Sequence, residues 1–229
     1  EIRDKYLTDI PHSEIFSDRE RSLFDLAEVR IGGRIRLREH FRCVDEIIQY
    51  CNNRFYKKES LIPLRQFGSD RLTPIKTVHV KEGYRDGERY YITNEPEADR
   101  IVKKITECIH DEKYKNKTFG IISLQGLNQA KLIEQKLLTS IGPEKIEEYD
   151  IRCGDASSFQ GDERNVILLS MVAAPNAPIG PLTSAKHGRR FNVAVSRAQD
   201  QLWLFHSVQL ADLNAECERA KLLSYCLNP

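Results

Sequence analysis

The chain has 229 residues, with 35 Lys and Arg against 34 Asp and Glu, so its net charge is +1. Hydrophobic residues make up 40% and charged residues 30%, which predicts a globular protein with one sizeable core. This balance lacks the basic excess of a dedicated duplex-DNA binder, and the six cysteines, none in a C-x-x-C spacing, exclude a zinc or disulfide framework.

The sequence also lacks membrane, signal and metal-binding features, which limits the class of protein further. No apolar run approaches the length of a membrane span and no signal segment is visible, which predicts an intracellular protein, cytoplasmic or nuclear, without a membrane partner. The six histidines do not cluster, so no metal site is expected. Because the only methionine is Met171, we expect the chain to be a piece of a longer protein.

The first part of the chain is polar. A short helix is predicted near residues 18–28 and a first strand at 35–37, followed by a helix over 44–55. Asp45 and Glu46 form the only Asp-Glu pair with apolar residues after it. No buried strand precedes them, so they are interpreted as first-turn acids favoured by the helix dipole.

The middle of the chain alternates strands and helices. Strands over 75–80 and 88–92 flank Asp86-Gly87, a pair typical of hairpin turns. Asn94 is a good cap for a helix over 95–110. The pattern continues with further strands at 118–123, 149–153, 165–172 and 201–206 and a helix at 126–140. The alternation predicts a doubly wound, mostly parallel α/β sheet with helices on both faces and ligands at the carboxyl ends of the strands. Arg42 and the segments 123–129 and 157–163 are expected at those ends.

The stretch RRFNVAVSRA (189–198) is the most informative segment. On one helix, Arg190 and Arg197 are seven residues apart and share a face, which suits two guanidinium groups directed at a polyphosphate. An ordinary amphipathic helix with solvated arginines is the alternative. The preceding segment 173–188 is rich in proline and glycine and is predicted to be a mobile loop.

A second segment, FQGDE (159–163), precedes an apolar run. Gly161 permits a sharp turn, and Glu163 follows it at the mouth of that turn. With LREHFRC (37–43), ISLQGLNQ (122–129) and RRFNVAVSRA in the same order, these segments resemble the motifs of superfamily 1 helicases, in the branch of the nonsense-mediated-decay RNA helicase. The resemblance implies a RecA-like P-loop NTPase fold.

Motor proteins of this kind also need a phosphate-binding loop of the form G-x-x-x-x-G-K-[ST], and no Gly-Lys pair occurs here. The resemblance therefore implies the second RecA-like domain of a helicase over residues 35–208, after a connector (1–34) and before a C-terminal helix (209–229). ATP and Mg²⁺ would be the cofactors, with the Mg²⁺ ligands on a first P-loop domain of the same polypeptide. The fragment alone is expected to lack ATPase activity.

By position, the resemblance makes Arg197 the arginine finger and Arg42 a second catalytic arginine. The nucleotide would be bound by Gly161, Glu163, Arg190 and Gln160, and single-stranded DNA or RNA by Ser123, Gln129, Ser157 and Ser158. Two departures from the family motifs concern positions that are expected to contact the nucleic-acid strand. Asp155 stands where a hydroxyl is usual, and Leu124-Gln125 replaces a proline and an aromatic residue.

Two other interpretations stay open. One is a helicase-like interaction module whose nucleotide site has lapsed, although the retained arginines and Glu163 argue against it. The other is an unrelated enzyme on a doubly wound sheet. Against that interpretation, no G-x-G-x-x-G opens a helix in this sequence.

Overall fold

The computed structural model describes residues 5–6, 8, 21–69, 71–88 and 91–229. The chain divides into two compact units, residues 1–38 and residues 39–229. The first unit contains α1 (Leu23–Ile31), which overlaps the predicted stretch 18–28 and continues beyond its end; residues 18–20 of that prediction lie outside the described residues. Ser22 and Asp25 form a reciprocal capping box, and the helix ends at Gly32 with a φ of +76°.

The second unit contains most of the elements. In chain order they are β1 (Glu39–His40), α2 (Asp45–Phe55), β2 (Ile62–Pro63), β3 (Ile75–His79), β4 (Arg85–Asp86), β5 (Thr93–Asn94), α3 (Glu95–Ile109), β6 (Phe119–Ser123), α4 (Asn128–Glu148), β7 (Arg152–Asp155), β8 (Arg164–Ser170), α5 (Ala185–Val195), β9 (Ala198–His206) and α6 (Glu218–Leu227).

The central sheet has five strands in the order β3-β9-β8-β6-β7, and every pairing in it is parallel. Successive residues of β8 and β9 pack into opposite cores, because side chains alternate across a strand. Ile167 and Leu204 pack on the side of α2, α5 and α6, whereas Leu168 and Phe205 pack on the side of α3 and α4. Both faces are therefore covered by helices, which confirms the doubly wound α/β fold.

Local signals fixed several helix ends. Asn94 accepts a hydrogen bond from the Glu97 amide (3.1 Å) and starts α3 as predicted. Asp45 and Glu46 occupy the first turn of α2. α4 runs beyond the predicted residue 140 and contains a kink at Gly142, whose φ is +77°, before Pro143.

Two element predictions are wrong. Residues 35–37 form no strand, and the short β1 pairs with β2 outside the central sheet. β3 joins no hairpin; it pairs in parallel with β9, and the hairpin around Gly87 is made by β4 and β5. Residues 89–90 of the predicted strand 88–92 lie outside the described residues.

The predicted loop over 173–188 ends earlier than expected, because α5 begins at Ala185. Hydrogen bonds hold the loop along its length. Arg85 donates to Pro178 O (2.8 Å), Arg219 to Gly180 O (3.1 Å) and the Glu218 amide to Leu182 O (3.0 Å). The expectation of a mobile loop missed these contacts, since all their donors lie far away in the sequence.

Candidate functional site

Two arginines and one carboxylate meet at the amino ends of β8 and β9. Glu163 directly precedes β8, Arg197 directly precedes β9, and the starts of these strands pair at Arg164 and Ala198. The Arg42 Nε donates to the Glu163 carboxylate, and its Nη1 donates to Ser196 O at 3.3 Å. We expected Arg42 and Glu163 at the carboxyl ends of the sheet strands, and that prediction is wrong.

Arg197 lies just beyond α5, not on it. The helix ends at Val195 and its C-cap is Ser196, so the predicted shared helical face of Arg190 and Arg197 does not exist. The Arg197 Nε donates to Val193 O (3.3 Å) and Nη1 to Asp162 O (3.1 Å). Within the described residues no carboxylate oxygen comes within 4.0 Å of this guanidinium.

The pKa directions show that the cluster is electropositive. Burial, followed by the positive charge of Arg42, lowers the pKa of Arg197. Burial alone would raise the pKa of Glu163, but hydrogen bonds from Arg42 and Gln199 outweigh it and hold that pKa below its ordinary value. One ionised carboxylate thus faces two guanidinium groups, so an anion would complete the charge balance.

Two residues that were not predicted from the sequence, Gln199 and His40, also lie at this corner, beside Arg42 and Glu163. Gln199 Nε2 donates to the second Glu163 carboxylate oxygen at 2.7 Å. His40 Nε2 accepts from the Cys43 amide at 3.0 Å, and burial and Arg42 lower the His40 pKa. A shallow pocket of about 340 Å³ opens above this corner, and its lining consists of Glu39, His40, Phe41, Arg42 and Glu163. The only sequence signal for His40 and Gln199 was their closeness to Arg42 and Arg197.

A second pocket, which we call the basic pocket, lies between the turn at 156–160 and α5. Its volume is about 490 Å³, and its lining consists of Ala156, Ser157, Gln160, Lys186, His187, Arg189, Arg190 and Val193. Arg190 and Gln160, both predicted to bind nucleotide, are thus placed with Ser157, away from the Arg42 pocket. Among the described residues, the buried Nε of Arg190 has no hydrogen-bond partner.

The turn beside the basic pocket explains the unusual Asp155. Its Oδ1 accepts from both the amide and the hydroxyl of Ser158 at 2.8 Å, so the carboxylate is directed onto its own turn. The Ser157 side chain is exposed and lines the basic pocket. Gly161 has a φ of +85° with open space around it, so the sharp turn itself requires glycine here.

Two predicted nucleic-acid residues are buried. Ser123 is 1% exposed and Gln129 is fully buried. Gln129 exchanges two hydrogen bonds with the Asn94 backbone (2.7 and 2.9 Å) and donates to Ser170 Oγ (3.2 Å). Their role as strand contacts stays a prediction, and these buried positions do not support it.

A buried carboxylate occupies the carboxyl edge of the sheet. Glu97 on α3 accepts from Ser170 Oγ (2.5 Å), the Val172 amide (2.8 Å) and Ser207 Oγ (3.1 Å). Burial raises the Glu97 pKa to about 7, although these hydrogen bonds oppose the rise. Val172, held by this contact, has a φ of +67°, an unfavourable conformation for a β-branched residue.

Comparisons with known proteins define the class. The model of the AAA domain family matches residues 19–209, so the chain belongs to that family.

Among the relatives, the chain is 29% identical over 181 residues to replicase polyprotein 1ab of Alphamesonivirus 1, covering 73% of this chain and 3% of that protein. It is 26% identical over 191 residues to an uncharacterized ATP-dependent helicase of Mycoplasma pneumoniae, and 28% to one of Mycoplasma genitalium. Each of those matches covers 78% of this chain and 16% of the helicase. The chain thus spans a small part of these relatives.

A solved structure is also similar. It is the C-terminal domain of a possible DNA helicase from Lactobacillus plantarum WCFS1, with a TM-score of 0.45 and 13% identity, covering 73% of this chain and 87% of that chain. Among the described residues, no helix is both long and apolar enough to cross a bilayer. The described residues also contain no cluster of three or more His, Cys, Asp or Glu side chains that could hold a metal ion.

Proposed function

We propose that this chain is the second RecA-like motor domain of an ATP-dependent superfamily 1 helicase, in the branch of the nonsense-mediated-decay helicase. The observation that carries the proposal is the meeting of Arg42 and Arg197 at one edge of the sheet, where, among the described residues, Glu163 is the only carboxylate that forms an ion pair with either arginine. Two partly buried cations with a single acid form a site for polyphosphate. Two of the similar proteins are named as ATP-dependent helicases, which supports a nucleotide-dependent role for this chain.

Arg197 suits the role of arginine finger. Among the described residues, its guanidinium donates hydrogen bonds only to the backbone carbonyls of Val193 and Asp162, at 3.3 and 3.1 Å, so no ion pair within this part of the chain has to be broken before it turns to a phosphate. A positive charge placed against the γ-phosphoryl oxygens stabilises the charge that develops during transfer. Mg²⁺ would be held by a P-loop domain that closes on this face, and that domain would also hold the ATP.

Arg42 and Glu163 would act together on the nucleotide side. Arg42 is held by Glu163 in this structure and can exchange that partner for a phosphate oxygen. Glu163 stays ionised at neutral pH, because its pKa lies below its ordinary value. A carboxylate there can accept hydrogen bonds from the ribose hydroxyl groups, as the resemblance implies.

The basic pocket would bind the phosphate backbone of single-stranded nucleic acid. Lys186, Arg189 and Arg190 supply local positive charge even though the net charge of the chain is only +1. Ser157 offers an exposed hydroxyl, whereas the Ser158 hydroxyl donates to Asp155. The strand contact predicted for both serines is therefore best supported for Ser157.

An ATPase assay on the full-length protein, with single-stranded DNA and RNA compared side by side, tests this function. We expect stimulated hydrolysis, a loss of about 10³-fold or more in kcat for Arg197→Ala, and a near wild-type rate for Arg100→Ala, an exposed arginine on α3. The chain alone should show negligible hydrolysis. Full activity of Arg197→Ala would refute the finger, and an inactive full-length protein would favour the lapsed interaction module.

A further inference from the structure

A row of hydrogen-bonded amide groups leads from Thr118, just before β6, to Glu163. The Thr118 amide donates to Asn165 Oδ1 at 3.0 Å. Asn165 Nδ2 donates to Gln199 Oε1 at 2.8 Å, and Gln199 Nε2 donates to Glu163 at 2.7 Å. We call Thr118, Asn165 and Gln199 the amide row.

The direction of each hydrogen bond in the amide row is fixed by groups that have one role only. A backbone N–H can only donate, so Asn165 presents its oxygen to Thr118 and its NH₂ group to Gln199. Asn165 Nδ2 also donates to Asp200 Oδ2 at 3.1 Å, and an ionised carboxylate can only accept. Gln199 must therefore turn its own NH₂ group toward Glu163.

Asp200 anchors the row on charged groups. It accepts from Lys117 Nζ at 3.0 Å and from Arg65 Nη2 at 2.6 Å. Burial alone would raise the Asp200 pKa, but these two cations lower it below its ordinary value, so Asp200 stays ionised at neutral pH. Asn165 is thus held by its contacts with both Thr118 and Asp200.

We propose that Gln199 is the positioning residue that keeps the Glu163 carboxylate in place when Arg42 leaves it for a phosphate. This inference rests on the proposed function. Among the described residues, the Glu163 carboxylate accepts hydrogen bonds from two side chains, those of Arg42 and Gln199. Once Arg42 turns away, Gln199 is the remaining contact, and it prevents a side chain that is 42% exposed from swinging into solvent.

The test compares two substitutions in the full-length protein. Gln199→Leu keeps a similar size but removes the donor to Glu163, whereas Gln199→Lys restores a donor without the amide. Gln49→Leu is the matched control, because it is the same change at an exposed amide on α2, whose Nε2 donates to Asn53 Oδ1 (3.1 Å). Steady-state ATPase is measured with ATP and with its 2′-deoxy and 3′-deoxy analogues, and thermal melting is recorded for each variant.

Gln199→Leu should raise KM for ATP about tenfold, the loss of one hydrogen bond to a charged group, with kcat changed less than about twofold. The preference for ATP over its deoxy analogues should shrink in the same variant, and Gln199→Lys should restore both values. A purely structural role would lower the melting temperature and leave that preference unchanged.

If Gln199→Leu keeps the wild-type KM and sugar preference, the inference is overturned. The proposed function would still stand in that case, provided that Arg197→Ala lowers kcat as expected. A full-length protein without ATPase activity would overturn both. An altered sugar preference in Gln49→Leu would also overturn it, because the effect would then not depend on the contact with Glu163.

Discussion

The buried carboxylate of Glu97 should make the stability of this domain depend on pH. Its pKa rises from 4.5 to about 7 in the folded protein. Below about pH 4.5 the group is protonated in both the folded and unfolded states, and its full contribution to stability is present. Between about pH 4.5 and 7 the folded state holds its proton longer than the unfolded state, so the free energy of unfolding falls as pH rises.

The size of the effect follows from the pKa difference. One unit of pKa corresponds to about 1.4 kcal/mol, so the rise from 4.5 to about 7 corresponds to a loss of about 3 kcal/mol between acid and neutral pH. Such a loss is a large fraction of the roughly 5–15 kcal/mol that stabilises a typical domain. The charge of the buried Arg219 interacts weakly with that of Glu97, and among the described residues no hydrogen bond joins the two side chains.

Glu97→Gln isolates this contribution. Its amide oxygen can accept from Ser170 and Val172, and its NH₂ group can donate to the Ser207 hydroxyl, so the hydrogen bonds are kept while the charge is removed. The assay is urea denaturation at several pH values from 4.5 to 8. We expect the variant to gain stability relative to wild type as pH rises, by up to about 3 kcal/mol.

Glu95→Gln is the control, because Glu95 lies on the same helix and its side chain is 65% exposed. Its stability should follow the wild-type curve within about 0.5 kcal/mol. Parallel curves for wild type and Glu97→Gln would refute a raised Glu97 pKa, since the difference between the two curves cancels the titration of all other groups.

Two further predictions concern packing and charge. Gly120→Ala should cost about 1–3 kcal/mol in urea denaturation, because a Cβ would lie 2.5 Å from Ile167 Cδ1 and 2.8 Å from Phe159 Cε1. Gly180→Ala, where a Cβ meets nothing within 4 Å, should change little, and equal losses in both would contradict the packing argument. Arg189→Ala in the full-length protein should reduce the slope of log affinity against log salt for single strands by about 0.7, measured by fluorescence anisotropy, whereas an unchanged slope would place the phosphate contact elsewhere.

Several features could be predicted from the sequence because their causes are local. The apolar run that forms β8 fills both cores, since its successive side chains point to opposite faces of the sheet. Asn94 starts α3 through a contact three residues away. The parallel sheet and the helices on both faces were predicted from such patterns, whereas the candidate residues Arg42, Glu163 and Arg197 were implied by the resemblance to helicase motifs.

Only the tertiary structure decided where those residues meet. Strand pairing brings the starts of β8 and β9 together, and this gathers Arg42, Glu163 and Arg197 at the amino edge. Periodicity in a sequence gives the faces of an element but not its neighbours, so Gln199 and the buried Gln129 could not be assigned in advance. The sequence determined which side chains carry the charge, and long-range pairing determined which of them share a site.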